Sequence, residues 1–450
     1  MSQYFGTDGI RGEAGNTLCP ELALRAAYGF ALLLPKQYRY RASNQANVIV
    51  GSDSRISSPM IKAAVLSGLG LGGVDAVDLG IVPTPVIPFM LTQRKAHGGV
   101  MITASHNPVE DNGIKFFSKD GLKLKRHHEC EIEKVVDATG WVRTNAGPCF
   151  GETKSCNAAV EYLGFLRTAV RRSSSMRRIS VVLDCAAGAT CELAPLAFQQ
   201  AGYRVTAINA HFDGARVNVK SGATDLRGLE RAVKRAGADL GLGFDGDGDR
   251  MLAVDECGGV VNGDRILALF ASRLRRYRSE RAVVMTQMSN LGVELALKGR
   301  GIAMIRTEVG DINVLAAMRK KKLHLGGEQS GHIIMSDRLH AGDGILAGLQ
   351  LCNIVSSCKV TLSTIAAEFP LYPQRLTNLK ISDKAAWRKD KKLARQLEAI
   401  ARQYSDVRTY IRPSGTEDVV RVLTESADAS RCDRSNASIC DALQAWDKKQ

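Results

Sequence analysis

Gly98-Gly-Val-Met-Ile-Thr-Ala-Ser-His-Asn-Pro108 is the stretch from which the rest of the chain can be read. Residues 100–103 have the apolar run of a buried strand, and the strand leads into a tight loop that presents one hydroxyl, Ser105. His106, Asn107 and the rigid Pro108 follow, and Asp111-Asn-Gly-Ile-Lys115 closes the turn. A serine at the carboxyl end of an apolar strand sits where open α/β sheets gather their ligands. Ser, Asn and Pro are also ordinary turn formers, so the loop alone does not separate a site from punctuation. Three other stretches do, because they supply what a phosphoryl-carrying serine would need.

Outward from this strand, strands and helices alternate. In the first block, 47–51, 77–82 and 99–103 read as strands, and Ser58-Pro59 starts a helix reaching about Leu71. A helix over about 152–176 leads out of the block. The second block has strands at 179–183, 203–208 and 238–244 and a helix at 225–235. The third runs from about Met251 to Pro370, with strands at 282–286 and 302–306 and helices near 265–277, 290–298 and 310–320. From about Leu371 the order changes to strand, helix 383–404, two strands flanking 412–418, and a last helix. Alternation of this kind implies largely parallel sheets covered on both faces, whereas the tail is α+β. The fold class expected is therefore α/β. Three related α/β domains with mixed sheets (1–152, 153–254 and 255–370) precede a C-terminal α+β domain (371–450).

At 450 residues the chain is too long for one core. Apolar content of 45% and charged content of 24% are those of an ordinary globular protein. The opening residues lack a basic segment followed by an apolar one, and apolar runs such as 30–34 fall far short of a membrane span. Eleven cysteines are scattered without a Cys-x-x-Cys pair, which fits reduced thiols and a cytoplasmic protein. The net charge of +15 comes from small clusters near linkers and helix ends, without a nucleic-acid motif. Neither a nucleic acid nor a membrane is expected as a partner. The positive field suits a small phosphorylated substrate.

Asp245-Gly-Asp-Gly-Asp-Arg250 is the strongest single signal. Carboxylates spaced two apart share one side of an extended loop, and at such spacing they repel unless a cation sits among them. Oxygen-only ligands of this kind suit Mg²⁺. Asp245, Asp247, Asp249 and Glu256 also fall on a calcium-loop spacing, but the glycine that loop needs is Arg250 here, and the flanks are β-like. Gly326-Gly-Glu-Gln-Ser-Gly-His332 alternates Glu328 and Ser330, so both face a ligand with vicinal hydroxyls, as a sugar has. Arg412-Pro-Ser-Gly-Thr-Glu417, with Arg421 beyond it, combines hydroxyls, backbone N–H groups and guanidinium, which suits a phosphate. Phe5-Gly-Thr-Asp-Gly-Ile-Arg-Gly12 places Arg11 in a glycine-rich opening loop. Two further patterns are set aside. Gly68-Leu-Gly-Leu-Gly-Gly73 follows a helix rather than the strand a dinucleotide fingerprint requires. His127-His-Glu-Cys130 lies on adjacent positions that do not face one another on a helix.

These motifs, in this order and essentially end to end, resemble the α-D-phosphohexomutase superfamily and, within it, the glucosamine-phosphate branch. The resemblance implies four domains round a central cleft, the fourth a mobile cap. It implies that Ser105 is phosphorylated in the working enzyme, with Mg²⁺ held by its phosphate and by Asp245, Asp247 and Asp249. Lys115 would be the general acid/base, with Arg11 and His332 beside it. Glu328 and Ser330 would take the sugar hydroxyls, and Arg412, Ser414, Gly415, Thr416 and Arg421 the distal phosphate. The implied ligands are glucosamine 6-phosphate, glucosamine 1-phosphate and glucosamine 1,6-bisphosphate, on the way to UDP-N-acetylglucosamine and cell-wall precursors. A homodimer stays open. A sister mutase of mannose or glucose phosphates is the alternative; Gln329 and the Phe5–Gly9 opening look like the glucosamine branch. The chain departs from the family pattern at Asp418, where proline is usual, and at Ala187, where asparagine is common.

Overall fold

Nineteen strands in four sheets carry the functional loops in the computed structural model, which describes all residues except 1–3, 7, 35–46, 140–149, 171–175, 384–385, 415–418 and 449–450. The first sheet contains β1 (Phe5–Gly6), β2 (Gly9–Glu13), β3 (Asn47–Ser52), β4 (Asp75–Ile81), β5 (Gly98–Ile102), β6 (Asp111–Ser118) and β7 (Thr153–Ser155), in the order β1-β2-β6-β5-β3-β4-β7. The second contains β8 (Ser180–Asp184), β9 (Arg204–Ile208), β10 (Leu240–Phe244), β11 (Met251–Asp255) and β12 (Val260–Val261), in the order β12-β11-β10-β8-β9. The third contains β13 (Ala282–Thr286), β14 (Ala303–Thr307), β15 (Leu325–Gly327) and β16 (Ile333–Met335), in the order β14-β13-β15-β16. The fourth is the antiparallel trio β17 (Gln374–Lys380), β19 (Val419–Glu425) and β18 (Arg408–Pro413).

One arrangement recurs. In each of the first three sheets a parallel core ends in a strand that turns back on an antiparallel neighbour. β5 pairs with β6, β10 with β11 and β15 with β16. The connecting loops are 103–110, 245–250 and 328–332, which are the serine, aspartate and sugar loops of the sequence. The phosphate loop of the tail likewise joins β18 to β19. Each strand is apolar and buried because helices cover both faces of the sheet, and polarity begins where the strand ends.

The expectations need four adjustments. The helix expected over 152–176 is shorter, Ala159–Ala169, and the exposed strand β7 precedes it, pairing with β4 in the first sheet. The first block therefore runs past residue 152. The second likewise runs past 254, because β11 and β12 pair in its sheet. The tail helix begins at Lys391 rather than 383, because the Asp390 side chain accepts from the N–H groups of Lys392 and Leu393 and caps it there. The glycines at 68–73 serve packing: a Cβ on Gly68 would fall 2.3 Å from the Leu24 carbonyl oxygen, where the helices Pro20–Leu33 and Ser58–Leu71 cross.

A single apolar core runs from Ile49 and Met101 through Leu183 and Phe244 to Leu325 and Phe369, so the first three blocks are packed as one body. The tail has its own core around Leu379, Val420, Val422, Leu443 and Trp446. It meets the third block through hydrogen bonds. Leu291 N–H donates to the buried Glu425 carboxylate, Gln374 Nε2 donates to Met288 O at 3.2 Å, and Tyr410 Oη donates to Glu308. No described helix is long and apolar enough to cross a membrane.

Asp343 ties two blocks together. Its carboxylate caps the helix Gly344–Ser357 by accepting from Leu346 N–H at 2.9 Å, and it accepts from Tyr162 Oη at 2.9 Å. Burial pushes its pKa up to about 6, against the pull of those donors. A carboxyl raised on folding stabilises the fold in its protonated form; that contribution is complete below about pH 4 and is lost as pH rises through about 6. Asp343→Asn keeps the cap without the charge. Its stability advantage over the parent should grow by about 2–3 kcal/mol between pH 4 and pH 7, read from paired denaturation curves across that range.

Candidate active site

β5 delivers Ser105 with a left-handed backbone, φ 54°. For a residue other than glycine this costs about 1–2 kcal/mol. The side chain is thereby turned to the second block, where its Oγ donates to Asp245 Oδ2 at 2.7 Å. Thr103 supports the turn: its hydroxyl accepts from Ser105 N–H at 2.8 Å and donates to the buried Asp53 at 2.7 Å. Thr103 is thus fully engaged.

Asp245, Asp247 and Asp249 converge, with one oxygen of each lying within 4.8 Å of the others, all three residues buried. They meet through a tight turn, closed by Gly248 N–H to the Asp245 carbonyl at 3.0 Å, rather than by alternation along an extended loop. Asp247 Oδ2 accepts from Thr84 Oγ1 at 2.6 Å and from Lys115 Nζ at 2.8 Å; Asp249 Oδ2 lies 3.3 Å from the same ammonium. Asp247 Oδ1 and Asp249 Oδ1 are buried without a hydrogen-bond partner. Hard oxygen donors in excess of the available protons fit a divalent cation such as Mg²⁺.

The electrostatics follow from this crowding. Burial, then the charges of Asp249 and Asp247, push the Asp245 carboxyl well above the usual range. For Asp249 burial acts in the same direction, but Lys115 and His332 outweigh it and hold the group well below its usual value. Burial would lower Lys115; the carboxylates of Asp247, Asp8 and Asp249 instead raise it well above the ordinary lysine value. His332 is likewise raised to about 9 against burial, by Asp249 3.6 Å away and by Asp311 at 3.8 Å. His106, beside Ser105 Oγ at 3.3 Å, is lowered to about 4 by burial and by Arg250 and Arg11.

Ser105, Lys115, Arg11, His332 and the three aspartates are therefore gathered together. Arg11 donates to Ala104 O at 3.1 Å and Asn107 Oδ1 at 3.0 Å. The sugar loop abuts the metal loop through an Arg250–His332 bridge and Met251 N–H to Gly331 O at 3.0 Å. In it, Glu328 accepts from Gly310 N–H at 3.0 Å, Ser330 is half-buried, and Gln329 reaches Gln374 of β17 at 3.3 Å. Arg412 and Arg421 form a second cluster in the tail, directly opposite each other across β18 and β19. Like charges so placed repel. Ser414 N–H donates to Val419 O at 2.8 Å. Gly415, Thr416 and Asp418 lie outside the described residues. Ala187 has φ 52°, a conformation asparagine takes more readily than alanine.

Several members escaped the motif reading. Asp8 is shared by Arg11, Lys115 and Lys123, and Lys123 also pairs with Asp311 at 2.6 Å, linking the first and third blocks. Thr84 and the fully buried Arg55 were also missed. Apart from Asp53, which pairs with Arg55, their partners lie tens of residues away, and no spacing announces them. The calcium-loop alternative fails because Glu256 turns away to Ser363. His127 and His128 lie against one another with their rings tilted by 53° on a surface helix, and among the described residues the aspartate trio is the one group placed to hold a metal.

This architecture, three α/β units with an antiparallel cap and a serine facing a tri-aspartate loop, is that of the phosphohexomutases. The chain matches the phosphoglucomutase/phosphomannomutase α/β/α domains I, II and III over residues 2–143, 160–259 and 262–372, and the C-terminal domain over 376–442; it belongs to that family. Among curated relatives it is 40% identical over 450 residues to the phosphoglucosamine mutase of Thermoanaerobacter pseudethanolicus, covering 99% of each chain. It is 40% identical over 439 residues to that of Lactobacillus johnsonii, covering 96% of each. A phosphoglucomutase/phosphomannomutase family protein from Burkholderia thailandensis superposes with TM-score 0.82 at 25% identity, over 98% of this chain and 96% of that one. The fold likeness extends to Aspergillus fumigatus N-acetylphosphoglucosamine mutase, solved with GlcNAc-6P and magnesium, at TM-score 0.69 and 19% identity over 98% and 96% of the two chains.

If the aspartate loop holds a cation, Mg²⁺ should raise the thermal midpoint of the parent protein. Asp247→Asn should keep the fold and lose that rise, and calorimetric titration should show the same loss of binding.

Proposed function

We propose that the chain is a phosphoglucosamine mutase. It interconverts glucosamine 6-phosphate and glucosamine 1-phosphate through a phosphorylated Ser105 and a 1,6-bisphosphate intermediate. The observation that carries this reading is the Ser105 hydroxyl 2.7 Å from a buried tri-aspartate loop that also engages Lys115 at 2.8 Å. The full-length likeness to phosphoglucosamine mutases supports the choice of sugar over mannose or glucose phosphates.

Phosphoryl transfer depends on positioning and charge neutralisation more than on covalent chemistry. A sugar hydroxyl attacks phosphorus in line with the Ser105 Oγ–P bond. The new P–O bond forms as the old one breaks, and the hydroxyl proton passes to a base for which Lys115 is placed. Asp245, Asp247 and Asp249 would hold Mg²⁺, which would supply neutralisation of the phosphate oxygens and offset the carboxylate charge that otherwise keeps Lys115 protonated. Arg11 and His332 face the same phosphoryl group as cations. Glu328 and Ser330 take sugar hydroxyls. Arg412 and Arg421 grip the far phosphate with Ser414, Gly415 and Thr416, and an anion between the two arginines relieves their repulsion. The bisphosphate then turns end for end, and its other phosphate returns to Ser105. The tail, with a core of its own and polar contacts to the third block, acts as the cap that keeps water out meanwhile.

A fraction of the purified protein should carry the mass of one extra phosphate, mapping to the peptide that holds Ser105. Ser105→Ala should lose that mass and about a thousandfold or more of turnover in a coupled mutase assay. Substantial residual activity, or a phosphate elsewhere, would refute the carrier role.

Arg412→Ala should act differently. Losing a charge-assisted contact worth about 2 kcal/mol should raise KM for glucosamine 6-phosphate by about thirtyfold while leaving the phosphoserine content unchanged. Saturation kinetics beside intact mass would test both halves.

A further inference from the structure

The left-handed backbone of Ser105 must be held, and its carbonyl oxygen takes two donors, one from each of two blocks. One is Arg55, wholly buried. Its guanidinium donates to Ser105 O and Asn107 O, both at 2.9 Å, to Asp111 O at 2.9 Å, to Pro108 O, and to the Asp53 carboxylate at 3.0 Å. Arg55 belongs to the first block, as the serine loop does, so it sets the internal shape of that loop. The other donor is Asn218 of the second block, whose Nδ2 lies 2.8 Å from Ser105 O and 3.4 Å from Asn107 O.

Asn218 is itself built in. Its backbone is left-handed, φ 64°, and its N–H donates to Ala186 O at 3.1 Å, beside the strand-end turn that follows β8. Gly246 of the metal loop closes the remaining side, for a Cβ there would fall 2.7 Å from Ser105 O and 3.0 Å from Asn218 Nδ2. Serine carbonyl, asparagine amide and metal loop are therefore in mutual contact across the boundary between the blocks.

We propose that Asn218 is a positioning residue for phosphoryl transfer: by holding the Ser105 carbonyl from the second block, it keeps the carrier serine in register with the aspartate loop. The direct bond between the two blocks at this point, Ser105 Oγ–H to Asp245, exists only while the hydroxyl is free. Once Ser105 Oγ is esterified it has no proton to donate. The bond from Asn218 goes to the backbone and is common to the free and phosphorylated states. A transfer that needs the reacting atoms aligned is sensitive to displacements of an ångström or less. Substrate recognition, which lies in the sugar loop and the tail, does not pass through this contact.

The inference rests on the mutase reading, and its test separates the two. Asn218→Gly keeps the left-handed backbone and removes only the amide; Asn218→Asp keeps the shape and removes the donor. Both should lower kcat by about ten- to a hundredfold with KM for glucosamine 6-phosphate within about twofold of the parent. Single-turnover phosphorylation of Ser105 by glucosamine 1,6-bisphosphate, followed by intact mass, should slow by the same factor, while circular dichroism melting stays that of the parent. An active parent with an Asn218→Gly variant of equal kcat and equal phosphorylation rate overturns this inference alone. Loss confined to KM or to melting temperature overturns it as well, since that is a binding or a structural role. A parent with no mutase activity overturns the proposed function, and this inference with it.

Discussion

Three carboxylates buried within 4.8 Å of one another are the constraint on which the centre of this protein depends. Out of water, each charge costs several kcal/mol unless neighbours compensate it. Lys115 is placed against two of the three, Arg250 N–H and the Ser105 hydroxyl against the third, and Thr84 against Asp247. Still, Asp247 Oδ1 and Asp249 Oδ1 accept no hydrogen bond, although His332 Nδ1 stands 3.6 Å from the latter. A structure that leaves so much negative potential in its interior is prepared for a cation, and the groups around it serve the same charge balance. Lys115 stays protonated because of it, and His332 does too, although burial alone would discharge both.

The scaffold supplies this crowding by repeating one device. A parallel strand buried on both faces ends, the chain turns, and an antiparallel strand leads it away. Such a turn exposes side chains at a place fixed by the sheet, without demanding polarity inside the strand. Used three times it presents the serine, the aspartates and the sugar loop; used again on a purely antiparallel sheet it presents Arg412 and Arg421. Continuity of the apolar core across the first three blocks makes their loops rigid relative to one another. The separate core of the tail leaves the Arg412–Arg421 pair on a body joined through polar contacts such as Leu291 N–H to Glu425 and Gln374 to Met288 O. Rigidity and adjustability are thus divided between chemistry and capture.

Left-handed backbone concentrates at the same place. Ser105, Ala186, Ala187 and Asn218 all have φ between 52° and 64°, and all lie where the first and second blocks meet. Ser54 Oγ donates to Ala187 O at 2.7 Å across that seam, as Asn218 does to Ser105 O. Turns this tight bring carbonyl oxygens and small residues to the boundary, and hydrogen bonds from the opposite block hold what would otherwise relax.

The local motifs were legible in the sequence because each is a contiguous run whose chemistry is set by neighbours. The apolar strand ending in Ser105, the alternating glycines and aspartates of 245–249, and the loops 326–332 and 412–417 needed no tertiary information to be singled out. Strand–helix alternation likewise announced three α/β units and a different tail. What the sequence could not determine was which distant side chains balance the buried charges. Asp8, Lys123 and Asp311 lie in three separate segments, yet they form one ion-paired chain. Arg55 reads as an ordinary polar residue before a helix, and becomes the wholly buried clamp of the serine loop only when the sheets pack. Short-range pattern is written in residue order, whereas the compensation of a buried charge depends on which groups the fold brings within a few ångströms, and that was decided by the tertiary structure alone.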